Sequence, residues 1–252
     1  NLDLMVGLPH QTPERFAATL DGIIELKPHR LAIFGYAHLP WLKPHMRKLE
    51  EAALPGPLER AALFLHAHER LTTSGYQAIG MDHFALVDDE LSVAQRQAAL
   101  HRNFMGYTTM PDVALIGLGM SAISELPGGY VQQKSKLSHW WKAVEGQAPV
   151  VEKGYRLTDE DRLRRDIING IMCNFQVDLG AVAERYGADG AAHFAEDLAL
   201  LQPMVDDGLA IVNGLKISVP EDARLLVRNV AMAFDPGLRV HAADAPRYSS
   251  TV

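Results

Sequence analysis

The sequence predicts an α/β protein: strands alternating with helices in a parallel sheet, followed by a mostly helical, winged-helix-like part. Two observations predict this and a third agrees with it. Strand and helix periods alternate with short connections from Asn1 to Leu39. Beyond Thr158 the order is three helices, a hairpin and a helix. Charge divides the chain near the same point, since residues 1–158 carry 15 Lys+Arg against 16 Asp+Glu and residues 159–252 carry 9 against 15. The expected organisation is a first domain over 1–157 and a helical accessory domain over 158–252.

Asn1 to Leu8 is the first expected strand, with Leu2, Leu4 and Val6 on one face and Asp3, Met5 and Gly7 on the other. Thr12, Pro13 and Glu14 supply a cap, a proline at the first helical position and an early acid. Phe16, Leu20, Ile23 and Ile24 then recur at helical spacing. Lys27-Pro28 stops that helix, and Arg30 to Leu39 is a second strand, parallel to the first. A long, proline-punctuated loop leads to a helix from Pro57, whose stripe is Ala61, Phe64, Leu65, His68 and Leu71 and which Ser74-Gly75 closes. Tyr76 to Leu86 is a third strand, and a helix rich in Ala and Gln ends near Leu100. Asp112 to Ile123 is a glycine-interrupted fourth strand, followed by a Pro127-Gly128-Gly129-Tyr130 turn and a short helix around Trp140-Trp141.

Thr158, Asp159 and Glu160 cap a helix carrying Ile167, Ile168, Ile171 and Met172. Further helices run from Leu179 to Tyr186 and from Phe194 to Val205. Asn213-Gly214 is the two-residue turn of a hairpin. Arg224 to Phe234 is the last helix, and the tail beyond Pro236 is expected to be loose.

Apolar residues make up 48% and charged residues 22%, as in ordinary globular proteins. No apolar run reaches the roughly 18 residues that span a bilayer, and no signal peptide is recognisable. The single cysteine, Cys173, excludes an intramolecular disulfide and lies on an apolar helix as an inert core thiol. A cytoplasmic protein with no membrane attachment is expected. The acidic C-terminal part lacks the basic footprint of nucleic-acid binding, and nine of the eleven histidines lie in residues 1–158, where chemistry is sought.

Asp3, a carboxylate inside an apolar strand, has two readings: it accepts hydrogen bonds from a polar ligand, or it pairs with a neighbouring base. His38 in "GYAHLP", and Asp82 and His83 in "GMDHF", stand at the C-terminal ends of expected parallel strands, where such sheets bind ligands. "HRNFMGYTT", His101 to Thr109, concentrates more kinds of donor than a helix end requires. Its Arg102 offers a planar fork suited to a carboxylate. In "IGLGMSAIS" the glycines let backbone approach a ligand closely, although no dinucleotide fingerprint is present.

Taken together and in order, "DLMVGLPHQTPE", "FGYAHLP", "SGYQAIGMDHFALVDDEL", "LHRNFMGYTT" and "GLGMSAIS" resemble the oxygen-independent coproporphyrinogen III oxidases, radical S-adenosylmethionine enzymes of haem biosynthesis. "RRDIINGIMCNF", "FAEDL" and "RLLVRNVAMAFD" extend the resemblance over almost the whole chain. It implies the later half of a partial (β/α) barrel of radical S-adenosylmethionine type, followed by the accessory domain. It also implies a reaction: a 5′-deoxyadenosyl radical takes hydrogen from two propionates of coproporphyrinogen III, which lose carbon dioxide and an electron to become the vinyl groups of protoporphyrinogen IX.

Asp3, Ala37 and Ile123 match positions that contact S-adenosylmethionine in that family, which holds two such molecules. Asp82, His83 and Arg102 are the candidates for binding substrate. The partners implied are coproporphyrinogen III and an electron donor protein. The family's 4Fe-4S cluster is held by a closely spaced trio of cysteines without counterpart here, so the resemblance implies a C-terminal portion, inactive alone, with an exposed first-strand edge. The competing readings are a barrel hydrolase with one metal at Asp3, His38 and His83, a non-catalytic binding module, and a haem chaperone of the same superfamily.

Overall fold

The computed structural model describes residues 1–111 and 113–240. The chain divides into two compact units, Asn1–Val93 with the short helix after Pro236, and Ala94–Asp235.

In the first unit, β1 (Leu2–Val6) leads through α1 (Pro13–Leu26) to β2 (Arg30–Gly35), and β1 and β2 are parallel with Asp3 beside Ala32. The expected cap is present: the Thr12 hydroxyl accepts from the Arg15 backbone N–H at 3.3 Å. Helix α2 (Pro57–Thr73) opens with the Glu59 carboxylate accepting from the Gly56 N–H at 2.7 Å. Its buried residues are Leu63, Ala67 and Leu71, whereas Leu65, expected in the stripe, is 53% exposed.

The expected third strand is two. β3 (Tyr76–Ile79) and β4 (His83–Leu86) form an antiparallel hairpin, and β4 is antiparallel to β2, giving the sheet order β1-β2-β4-β3. Gly80, with φ of +60°, turns the chain in the middle of the apolar run. Alternation then assigns the two faces. Leu4, Val6, Leu31, Ile33, Tyr76 and Phe84 pack with Phe16 and Leu20 of α1 and with α2 as one core. Each fully buried large side chain there contributes roughly 1.5–3 kcal/mol. The opposite face carries Asp3, Met5, Ala32, Phe34 and His83.

Helix α3 (Glu90–Arg96) is shorter than the expected helix ending near Leu100, for the chain there enters an antiparallel hairpin, β5 (His101–Asn103) and β6 (Gly106–Thr108). No strand occupies the described part of 112–122; Asp112, where the expected fourth strand begins, lies outside the described residues. A single bridge joins Leu115 to Glu125, and a meander of β7 (Ile123–Leu126), β8 (Gly129–Gln133) and β9 (Val151–Arg156) follows, with α4 (Leu137–Glu145) between the last two. The tryptophans of α4 have local partners: Trp140 donates to Gln133 and Trp141 to Glu145, each at 2.7 Å.

The remainder follows the expected winged-helix-like order. Helix α5 (Asp159–Asn174) starts with a reciprocal cap, the Thr158 hydroxyl accepting from the Asp161 N–H at 3.1 Å and the Asp161 carboxylate from the Thr158 N–H at 2.8 Å. β10 (Gln176–Asp178), α6 (Leu179–Arg185), α7 (Gly190–His193) and α8 (Ala195–Asp206) come next. The wing is β11 (Ile211–Asn213) with β12 (Lys216–Ser218), and β10 joins β12. Asn213 pairs with Lys216, so the turn residues are Gly214-Leu215, one place later than expected, with the positive φ at Gly214. The expected helix from Arg224 divides into a 3-10 segment, Glu221–Leu226, and α9 (Val227–Met232). A short α10 (Pro236–Val240) lies within the tail expected to be loose, whose residues 241–252 lie outside the described residues. Residue 157 falls between β9 and α5, inside the second unit.

Candidate functional site

The first sheet places Asp3, Ala32 and His83 in one row on the face opposite the helices, on β1, β2 and β4. Two strand spacings of about 4.8 Å separate Asp3 from His83 along that row. Asp3 is exposed and accepts from the Asn1 side-chain amide at 2.8 Å. It has no ion-pair partner among the described residues. Met5 and Phe34, 43% and 40% exposed, extend the same face as an apolar shelf.

His83 begins an antiparallel strand and so is not at the C-terminal end of a parallel one, as expected; the hairpin at Gly80 reverses the direction. The reversal still brings it to the end of the sheet where β2 ends, since the Ile33 N–H donates to the Asp82 carbonyl at 2.8 Å. Its Nδ1 lies 2.6 Å from the Asp82 carboxylate, and its ring meets Phe34 edge-on at 6.0 Å. Asp82 therefore fixes the orientation of the imidazole.

Ala37 and His38 follow β2 as a loop and lie outside the strand expected to reach Leu39. His38 lines a cavity of about 200 Å³ with Gly7, Tyr36, Trp41 and Arg60. Its Nδ1 and the Nε of Arg60 are buried without hydrogen-bond partners among the described residues. Gly7 holds φ of +90° there, a backbone conformation that L side chains rarely adopt. Arg60 was not legible as a site residue, because one arginine near a helix start has no distinguishing spacing. Asp3, His38 and His83 form no group able to hold a metal ion among the described residues, which leaves the hydrolase reading without a centre.

In the second unit Arg102 and Ile123 are placed independently. The Asn174 side chain at the end of α5 binds Leu100 twice, accepting from its N–H and donating to its carbonyl, both at 3.2 Å. That fixes the chain one residue before the β5–β6 hairpin. On the hairpin the Arg102 guanidinium lies 5.5 Å from the centre of the Tyr107 ring, with its Nε buried and without a hydrogen-bond partner among the described residues. Arg102 lines a cavity of about 440 Å³, to which Arg165 and Asn169 of α5 and Arg185 of α6 also contribute. Ile123 opens β7, half-buried. A Cβ on Gly117 would come within 2.5 Å of the Ile123 carbonyl, so the glycine there serves close approach to β7. The Ser124 hydroxyl accepts from the Gly117 N–H at 3.0 Å and clamps the same contact.

Cys173 is fully buried on α5, and burial pushes its thiol up to about 12, with Arg102 pulling weakly the other way. As the chain's one cysteine, it does not fit the ligand set of an iron–sulfur cluster. The open carboxylate of Asp3 does suit a polar small molecule. No helix among the described residues is long and apolar enough to cross a membrane.

The HemN C-terminal domain family matches residues 157–226. The oxygen-independent coproporphyrinogen III oxidase of Salmonella typhimurium is 47% identical over 242 residues, 96% of this chain and 53% of that protein. That of Thermostichus vulcanus is 42% identical over 240 residues, 95% of this chain and 74% of that protein. The solved Escherichia coli coproporphyrinogen III oxidase, described as a radical SAM enzyme, superposes with a TM-score of 0.90 at 46% identity, over 94% of this chain and 54% of that one. The chain thus spans about half the length of the Salmonella and Escherichia relatives.

Proposed function

This chain belongs to the oxygen-independent coproporphyrinogen III oxidases, and from that premise we propose that it serves the oxidative decarboxylation of coproporphyrinogen III to protoporphyrinogen IX. S-adenosylmethionine and a 4Fe-4S cluster supply the radical in that reading, and the cluster's ligands are not among this chain's residues.

The observation that carries the reading is the row on the open face of the first sheet. Asp3 presents an exposed carboxylate as acceptor for donors of S-adenosylmethionine, and Ala37 and Ile123 add backbone and packing contacts to the two molecules proposed to bind. Met5 and Phe34 offer apolar area beside that carboxylate. Asp82 and His83, held together at 2.6 Å, are the further substrate-binding residues in this reading. Arg102 supplies the planar cation for a propionate. An electron donor protein is the further partner, and the protein works in the cytoplasm without nucleic acid or membrane.

A chimera tests the proposal: this chain joined behind the N-terminal half of the Escherichia coli enzyme, reconstituted with iron and sulfide without oxygen. The expected result is a brown protein that converts coproporphyrinogen III to protoporphyrinogen IX. Asp3→Asn should lower its kcat/KM by about tenfold to a hundredfold, the cost of one charge-assisted contact. A chimera that carries its cluster yet leaves coproporphyrinogen III unchanged would overturn the proposal.

A further inference from the structure

Three arginines line one cavity of the second unit: Arg102, Arg165 and Arg185. Two of them have acidic neighbours in the same wall. Arg185 lies 3.2 Å from the Asp166 carboxylate, and Arg165 lies 3.9 Å from that of Glu125. Arg102 has no carboxylate partner among the described residues. Its Nε, buried and without a hydrogen-bond partner among the described residues, belongs to a fork already oriented by stacking on Tyr107. A buried donor left in this way is costly unless an acceptor comes to meet the guanidinium.

The remaining walls are mixed. Met110, Val113, Leu126 and Pro127 set apolar area beside the neutral polar side chains of Asn103, Thr108 and Asn169, and Met110 and Val113 are 64% and 58% exposed at the rim. About 440 Å³ exceeds the room one carboxylate needs and falls within the range of small-molecule sites. An inorganic anion would leave those walls wet, whereas a carboxylate on an apolar body covers them.

We infer that this cavity binds a carboxylate borne on an apolar body, with Arg102 as its counter-ion. The chemistry follows from the cavity; the identity of the ligand, a propionate arm of the porphyrinogen, rests on the function proposed above. Arg102 is accordingly a binding residue for the ring's orientation.

Arginine labelling tests this on the full chain. Phenylglyoxal modification of Arg102 is followed by peptide mass spectrometry with hexanoate, hexanol or coproporphyrin III present. Hexanoate is expected to slow labelling several-fold and hexanol to leave it unchanged. Coproporphyrin III should protect at far lower concentration, and Arg102→Gln should weaken its binding about tenfold to a hundredfold. Arg185→Glu, at a residue whose side chain is 61% exposed and so tolerant of exchange, should weaken it about threefold to tenfold in a folded protein. Protection by hexanoate but not by coproporphyrin III would keep the cavity and overturn the porphyrinogen as its ligand. Coproporphyrin III binding that neither variant alters would overturn the cavity and leave the oxidase reading standing. No protection by either carboxylate overturns the inference.

Discussion

The two units bury polar groups in opposite ways. In the first, the buried polar residue among those described is Ser92, whose hydroxyl approaches the Ala85 carbonyl at 3.5 Å, and the core beneath its sheet is aliphatic and aromatic. In the second, Asp197 is 1% exposed and lies 2.7 Å from Arg164, which also reaches Glu160 at 2.7 Å and stacks 5.2 Å from the Phe194 ring centre. His193 closes the group, 2.9 Å from Glu160. An apolar core tolerates any well-shaped substitute, whereas an ionic one accepts only a partner of opposite charge. The first unit is thus specified by pattern, and the second also by particular residues.

The largest expected effect breaks this contrast directly. Arg164→Ala takes the cation away from the buried Asp197 carboxylate, and should cost about 3–5 kcal/mol in urea unfolding. Replacing both, Arg164→Met with Asp197→Leu, should recover most of that. A single variant within about 0.5 kcal/mol of the parent would show that the pair is incidental.

A smaller effect sharpens the contrast at the site. Asn174→Ala removes both bonds to buried Leu100 and should cost about 1–3 kcal/mol. Faster hydrogen exchange at the Leu100 amide is the specific readout. Unchanged exchange there would mean that the β5–β6 hairpin is held by other contacts.

The smallest concerns a half-buried histidine of the first unit. Burial holds His68, edge-on to Phe84 at 5.7 Å, below its ordinary value of 6.5. The folded state therefore keeps His68 neutral where the unfolded chain already binds a proton, so stability present above about pH 6.5 falls as the pH drops through that range. His68→Gln should flatten the dependence of the urea midpoint on pH between about 7 and about 5. An unaltered slope would assign the loss to other groups.

What the sequence made legible follows the same division. The strand–helix–strand from Leu2 to Gly35 reads cleanly because alternation, the Thr12 cap and Lys27-Pro28 agree with one another. The β3–β4 hairpin does not, because its turn glycine interrupts an apolar run that suits one strand equally well. β9 was missed since all its residues are exposed, and a polar strand has no apolar period to detect. At the site, Asp3 stood out as a charge among apolar neighbours. Arg165 and Arg185 did not, because residues on two helices converge through tertiary packing that spacing along the chain does not encode.

The Leu100–Asn174 clamp joins positions 74 residues apart. Such a link closes only after the intervening chain has collapsed, since the entropy of closing a loop precedes the contacts that reward it. The three-residue strands that present Arg102 have little local stability of their own. The arginine cavity is accordingly among the last features to form in folding, and a chain that stalls before α5 docks acquires its sheets without its anion seat.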